Sequence, residues 1–78
     1  MSATSTIKII YWNPYGVLTR IHELYYYMIA NHIDVACLCE TFLKFNTNPP
    51  SHPDFTIHRR DRIDGIRGGV AILIRKIN

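Results

Sequence analysis

The chain has 78 residues, of which 47% are hydrophobic, 12% aromatic and 19% charged. One small core is possible at this length and two domains are not. The balance is too apolar and too lightly charged for an intrinsically disordered chain. Four glycines and four prolines exclude a collagen-like or low-complexity tract, and no apolar run approaches the ~18 residues of a membrane span.

The net charge of +3 is unevenly placed. Residues 1–38 carry Lys8 and Arg20 against Glu23 and Asp34 and sum to zero. Residues 39–78 hold the whole excess, seven cations against four carboxylates. Two readings are open: a surface for an anionic partner, or a solvated hairpin with ordinary surface arginines.

Met1–Thr6 has neither the basic region nor the apolar stretch of a signal peptide, and residues 1–6 are expected to be disordered. Ile7–Trp12 is a β-branched and aromatic run that reads as a strand. It stops at Asn13-Pro14-Tyr15-Gly16, because Pro14 has no N–H to continue a ladder.

Val17, Leu18, Ile21, Leu24, Tyr25, Met28 and Ile29 repeat at helical spacing. They predict an amphipathic helix near 17–31, with Arg20, His22, Glu23, Tyr26 and Tyr27 mostly on the other face. Asn31 is the expected left-handed stop residue.

Ile33–Cys39 is a nearly continuous apolar run, the pattern of a strand buried on both faces. Cys37 and Cys39 lie on one face of it and read as buried apolar residues in a reducing compartment. Their spacing suits neither a zinc site nor a disulfide framework. Strand, helix, strand makes a βαβ unit with parallel strands and a right-handed crossover. Both strands then end at one sheet edge, which places Asn13 near Glu40.

Thr47–Pro53 is a proline-rich loop. Phe55–Arg60 alternates as a strand with Phe55, Ile57 and Arg59 on one side, and Gly68–Arg75 is a second, mostly buried strand. Asp61–Arg67 joins them as a hairpin loop longer than the tight two-residue type. Four strands and one helix leave one sheet face poorly covered. The expectation is therefore a piece of a larger domain, aggregation-prone or partly folded alone.

In α/β sheets ligands bind beyond the carboxyl ends of the strands. Glu40 follows a buried strand directly, where an acid is costly to desolvate without a partner. A hard divalent cation is one such partner; a surface loop position is the plainer alternative. Asn13 can orient a phosphate or carboxylate through its amide, or simply form a turn. Asp61 and Asp64 read as turn residues. The four histidines show no metal-ligand spacing and read as structural or exposed. Tyr25-Tyr26-Tyr27 reads as core and helix surface, ahead of a base-stacking platform.

Several features together resemble the opening of an endonuclease/exonuclease/phosphatase domain. They are Trp12-Asn13 with Gly16 after a strand, an amphipathic helix, Asp34-Val35-Ala36-Cys37-Leu38-Cys39-Glu40-Thr41, a Pro-rich loop, Arg60-Asp61-Arg62, and Gly68-Gly69-Val70-Ala71-Ile72-Leu73-Ile74. Among such domains the endonucleases of jockey-type non-LTR retrotransposons are most similar. The likeness covers about residues 7–76, and its strength lies in the combination of motifs. It implies an α/β fold, the N-terminal fragment of a four-layered α/β sandwich in which a βαβ unit is followed by a β-hairpin. Residues 7–78 would then be a partial domain that lacks its C-terminal part.

The resemblance implies that Asn13 is an active-site residue positioning phosphate and that Glu40 is a catalytic residue holding Mg²⁺ or Mn²⁺. DNA is the implied partner, with Arg59, Arg60, Arg62 and Arg67 as candidate contacts to it. Tyr15 stands where the family often has a second Asn. No Asp-x-Asn or Ser-Asp-His string occurs, so the family's water-orienting Asp and its His are not encoded, and the chain is expected to be inactive alone. The competing reading is a non-catalytic nucleic-acid-binding or interaction remnant.

Overall fold

The structure, a computed structural model, describes residues 6–64 and 67–77. The expected disorder at the N-terminus and the centre of the hairpin loop at 65–66 fall largely outside those residues. It is a small mixed α/β domain: strand β1 (Ile9–Trp12), helix α1 (Ile21–Ala30), then strands β2 (Val35–Cys39), β3 (Phe55–Arg60) and β4 (Val70–Arg75). The four strands form one sheet in the order β1-β2-β4-β3.

The βαβ unit forms as its pattern predicts. β1 and β2 are parallel, in register from Ile9–Val35 to Trp12–Leu38. β3 and β4 form the antiparallel hairpin, and β4 also pairs antiparallel with β2. The apolar strand thus sits inside the sheet. The more polar β3, with Thr56, His58 and Arg60 on its outer side, takes the edge.

α1 covers one face only. Ile21, Leu24, Tyr25 and Met28 recur every three or four residues, so one stripe of the helix is buried. It packs with Ala36, Leu38, Ala71, Leu73 and Phe55 of the sheet, joined by Val17, Ile33 and Leu43. Tyr25 stacks on Phe55 at 5.7 Å, and its hydroxyl donates to the Pro50 carbonyl at 2.7 Å, tying down the proline-rich loop. Burial pushes the Tyr25 phenol above its usual range.

The helix is shorter than its apolar period. Residues 17–20 form a turn closed by Arg20 N–H on the Val17 carbonyl, and no side chain caps the N-terminus. Leu18 and Ile29, at the margins of the stripe, stay exposed. The left-handed stop is His32 at φ 54°, one residue beyond Asn31, which has φ −108°. Ile33 N–H bonds the Met28 carbonyl and His32 N–H bonds that of Ile29, which satisfies the last turn. Arg75 completes this end by donating to the carbonyls of Met28 and Ile33.

Two expectations about burial need correction. β2 is buried on one face, not both, and β4 alternates instead of being mostly buried: Ala36, Leu38, Ala71 and Leu73 point to the helix, while Val70, Ile72 and Ile74 are exposed. Cys37 is half-buried and Cys39 exposed, so the pair lies on the uncovered side. The reason is simple: one helix supplies one covering layer. Among the described residues no helix is long and apolar enough to cross a membrane.

Candidate functional site

The parallel register brings the ends of β1 and β2 to the same sheet edge, and the antiparallel β4 begins there. Three loops meet as a result. After β1, the side-chain oxygen of Asn13 accepts from Tyr15 N–H at 3.0 Å, forming a local turn around the fully buried Pro14. Gly16 N–H then bonds the Glu40 carbonyl at 2.9 Å, and Val17 N–H bonds that of Thr41 at 3.0 Å. From the other side, Thr41 and Phe42 donate backbone N–H bonds to Gly69 and Gly68. Asn13 and Glu40 are thus on loops bonded directly to each other, as their positions after parallel strands predict.

The backbone here is unusual. Among the described residues seven have positive φ, and six of them lie at this edge: Tyr15, Gly16, Glu40, Phe42, Gly68 and Gly69. Three are not glycine and adopt a conformation that L-residues disfavour. Such strain persists where the surroundings over-determine it, and it concentrates at functional sites. Here the cross-loop bonds supply the constraint.

Glu40 is half-buried, and its carboxylate accepts from Gly68 N–H at 3.2 Å. Beside it Thr41 is 1% exposed, and its hydroxyl oxygen has no hydrogen-bond partner. A Cβ at Gly69 would stand 2.6 Å from that oxygen, so only glycine fits the approach. The Glu40 carboxylate and the Asn13 amide therefore lie on bonded loops at one end of the sheet, with the Thr41 hydroxyl buried beneath Gly69. Among the described residues no group of three His, Cys, Asp or Glu side chains is gathered to hold a metal. Glu40 brings one carboxylate to this end, a number that Mg²⁺ accepts when it keeps most of its waters.

The arginines divide. Arg59 is a structural clamp: its guanidinium makes a 2.7 Å ion pair with Asp61, donates to the Lys44 carbonyl at 2.6 Å and reaches Asn48 at 3.5 Å. Asp61, read from sequence as a turn residue, is its counter-ion. Arg60 is exposed on the outer face of β3. Arg62 pairs with Asp64, and both are exposed. That bond pulls the Asp64 carboxyl below its usual range. Arg67 lies at the strand-end edge and donates to the Tyr15 hydroxyl at 2.9 Å.

Sequence reasoning missed the Arg59 and Arg75 clamps, which depend on carbonyls remote in the chain. It also missed the role of Thr41; the adjoining Gly68-Gly69 was its one available signal. Among the described residues no histidine stands at this edge. His52 packs on Tyr25 and Phe55, and His58 lies beside Thr56 on β3. A hollow of ≈ 310 Å³ lies elsewhere, between β1 and α1, lined by Trp12, Arg20, Leu24 and Tyr27 among others. Its charged residues, Arg20 and Glu23, are paired with each other. A scan against protein-family models and a search of the curated proteins find no match to this chain.

Proposed function

We propose that this chain contributes the phosphate- and metal-binding end of a metal-dependent phosphodiesterase acting on DNA. The domain is of the endonuclease/exonuclease/phosphatase type, similar to the endonucleases of jockey-type retrotransposons. Further residues of the same domain complete its four-layered sandwich and cover the outer face of the sheet. One observation supports the reading: parallel β1 and β2 end together, and their loops bond so that Asn13 and Glu40 share one strained edge.

In this reading the Glu40 carboxylate holds Mg²⁺ or Mn²⁺, and the Asn13 amide N–H groups orient a phosphate oxygen. The cation, when bound, supplies charge stabilisation to the phosphoryl oxygens. Gly68 N–H holds one oxygen of that carboxylate at 3.2 Å, which would position Glu40 for such a cation. Arg60 and Arg62 add salt-sensitive affinity for the DNA backbone. A second reading, binding without cleavage, draws on the want of an imidazole at this edge among the described residues. Hydrolysis needs a group to take the proton of the attacking water.

Plasmid nicking with Mg²⁺ or with EDTA, beside a DNA-binding titration, separates the two. The 78-residue chain should bind DNA without turnover. A version lengthened to the whole domain should nick, and Glu40→Ala in it should lower nicking far more than binding. EDTA-sensitive nicking by the 78-residue chain would refute the division of labour. Unchanged nicking by Glu40→Ala would remove Glu40 from the metal site.

A further inference from the structure

Resting on that phosphodiester reading, we infer that Tyr15, Phe42 and Arg67 form a stacking platform for an unpaired nucleobase beside the Asn13–Glu40 edge. The DNA presented to this edge is therefore single-stranded, or unpaired at that nucleotide.

Tyr15 is the key residue. Tyr15 is 63% exposed as a residue, although its backbone sits at φ 52°, a conformation disfavoured for a bulky side chain. Packing does not account for it, because Pro14 is the residue of this turn that fills the core. The turn holds Tyr15 outward by two bonds, Tyr15 N–H to Asn13 and Gly16 N–H to the Glu40 carbonyl.

Phe42 meets Tyr15 edge-on, with ring centres 5.1 Å apart and planes at 63°. It is wedged against Gly16, where an added Cβ would stand 3.3 Å from the Phe42 ring. The Arg67 guanidinium lies 5.7 Å from the Tyr15 ring centre and 5.9 Å from that of Phe42. Its bond to the Tyr15 hydroxyl holds cation and ring together. Aromatic rings and a planar guanidinium are the surfaces on which splayed bases stack.

The three side chains also lie next to the Asn13–Glu40 edge. Gly68, next to Arg67, donates to the Glu40 carboxylate, and Phe42 is two residues from Glu40. A phosphate oriented by the Asn13 amide, two residues from Tyr15 in the same turn, thus brings its own base to the platform. A base inside a duplex is already stacked on its neighbours and cannot use it.

The test is fluorescence anisotropy with labelled oligo(dT), the same oligomer with abasic units, and a duplex, all in EDTA. Omitting metal keeps the outcome independent of Glu40 chemistry. Wild-type chain should bind oligo(dT) roughly tenfold more tightly than the abasic oligomer, whose phosphates are identical. Tyr15→Ala should remove that difference and leave the salt dependence unchanged, whereas Tyr15→Trp should keep it. Arg60→Ala should weaken both oligomers alike and lower the salt slope by about 0.7. Equal affinity of the wild-type chain for oligo(dT) and the abasic oligomer would overturn the platform, and this arm needs no variant to fold. Base-dependent binding without metal-dependent cleavage in the lengthened version leaves the platform standing and removes the phosphodiester reading. Cleavage without base-dependent binding does the reverse.

Discussion

Gly69 and Thr41 show how narrow the margins are at the strand-end edge. The Gly69 backbone at φ 87° passes so close to the Thr41 hydroxyl that a methyl group cannot enter. Gly69→Ala adds a clash to a conformation that itself costs an L-residue about 1–2 kcal/mol. We expect a loss of about 2–4 kcal/mol in urea unfolding. The Thr41 hydroxyl is buried and unpartnered, a state that costs about 1–3 kcal/mol. Thr41→Val keeps the shape and removes the polar atom, so it should be neutral or stabilising by about 1 kcal/mol. A clear destabilisation by Thr41→Val would mean that the hydroxyl is satisfied in solution. Neither effect is legible in sequence. Gly68-Gly69 announces a special backbone, but nothing in the letters says which side chain it must clear. Positive φ at Glu40 and Phe42 has no sequence signature, because three loops impose it.

At the scale of elements, local periodicity carried far. The helical spacing of Ile21, Leu24, Tyr25 and Met28 named the buried stripe, and the turn at Asn13-Pro14 marked the end of β1. Parallel pairing and the meeting of the Asn13 and Glu40 loops followed from the βαβ order. What failed was burial, since an apolar run reports what a strand could bury and not what is there to cover it. The proline-rich segment was legible as a loop, but its anchors were not. Arg59 holds it from β3, with side-chain exposures of 18% for Arg59 and 10% for Asp61. Breaking a pair this enclosed leaves an uncompensated carboxylate. Arg59→Ala should cost about 2–4 kcal/mol by urea titration and loosen residues 44–48 in hydrogen exchange. Arg59→Lys should recover little of it, because an ammonium lacks the fork that spans Asp61 and the Lys44 carbonyl. Arg20→Ala, which breaks the exposed pair with Glu23, should cost under about 1 kcal/mol. Equal losses in the two variants would contradict the clamp.

For the whole molecule the asymmetry of the sheet matters most. One face packs on α1, while the other presents Ile9, Tyr11, Val70, Ile72 and Ile74, all at least 41% exposed. Exposed apolar area of this kind marks an interaction surface or an aggregation liability. At ~25 cal/mol per Å², leaving it in water forgoes several kcal/mol against a total stability of ~5–15 kcal/mol. The isolated chain should therefore bind a hydrophobic dye such as ANS and melt broadly. A sharp, cooperative melt of a monomer without dye binding would show that this face needs no cover.

The same architecture sends its polar, strained loops to one end, and the functional account depends on that end. In the proposed function Glu40 holds a divalent cation beside Asn13. Mn²⁺ titration followed by paramagnetic broadening of backbone amide signals tests it most directly. Signals of Asn13, Glu40, Thr41, Gly68 and Gly69 should broaden first, and Glu40→Gln should abolish the effect while the spectrum stays folded. Broadening that centres on Asp54 or Asp64, or that survives Glu40→Gln unchanged, would contradict the account.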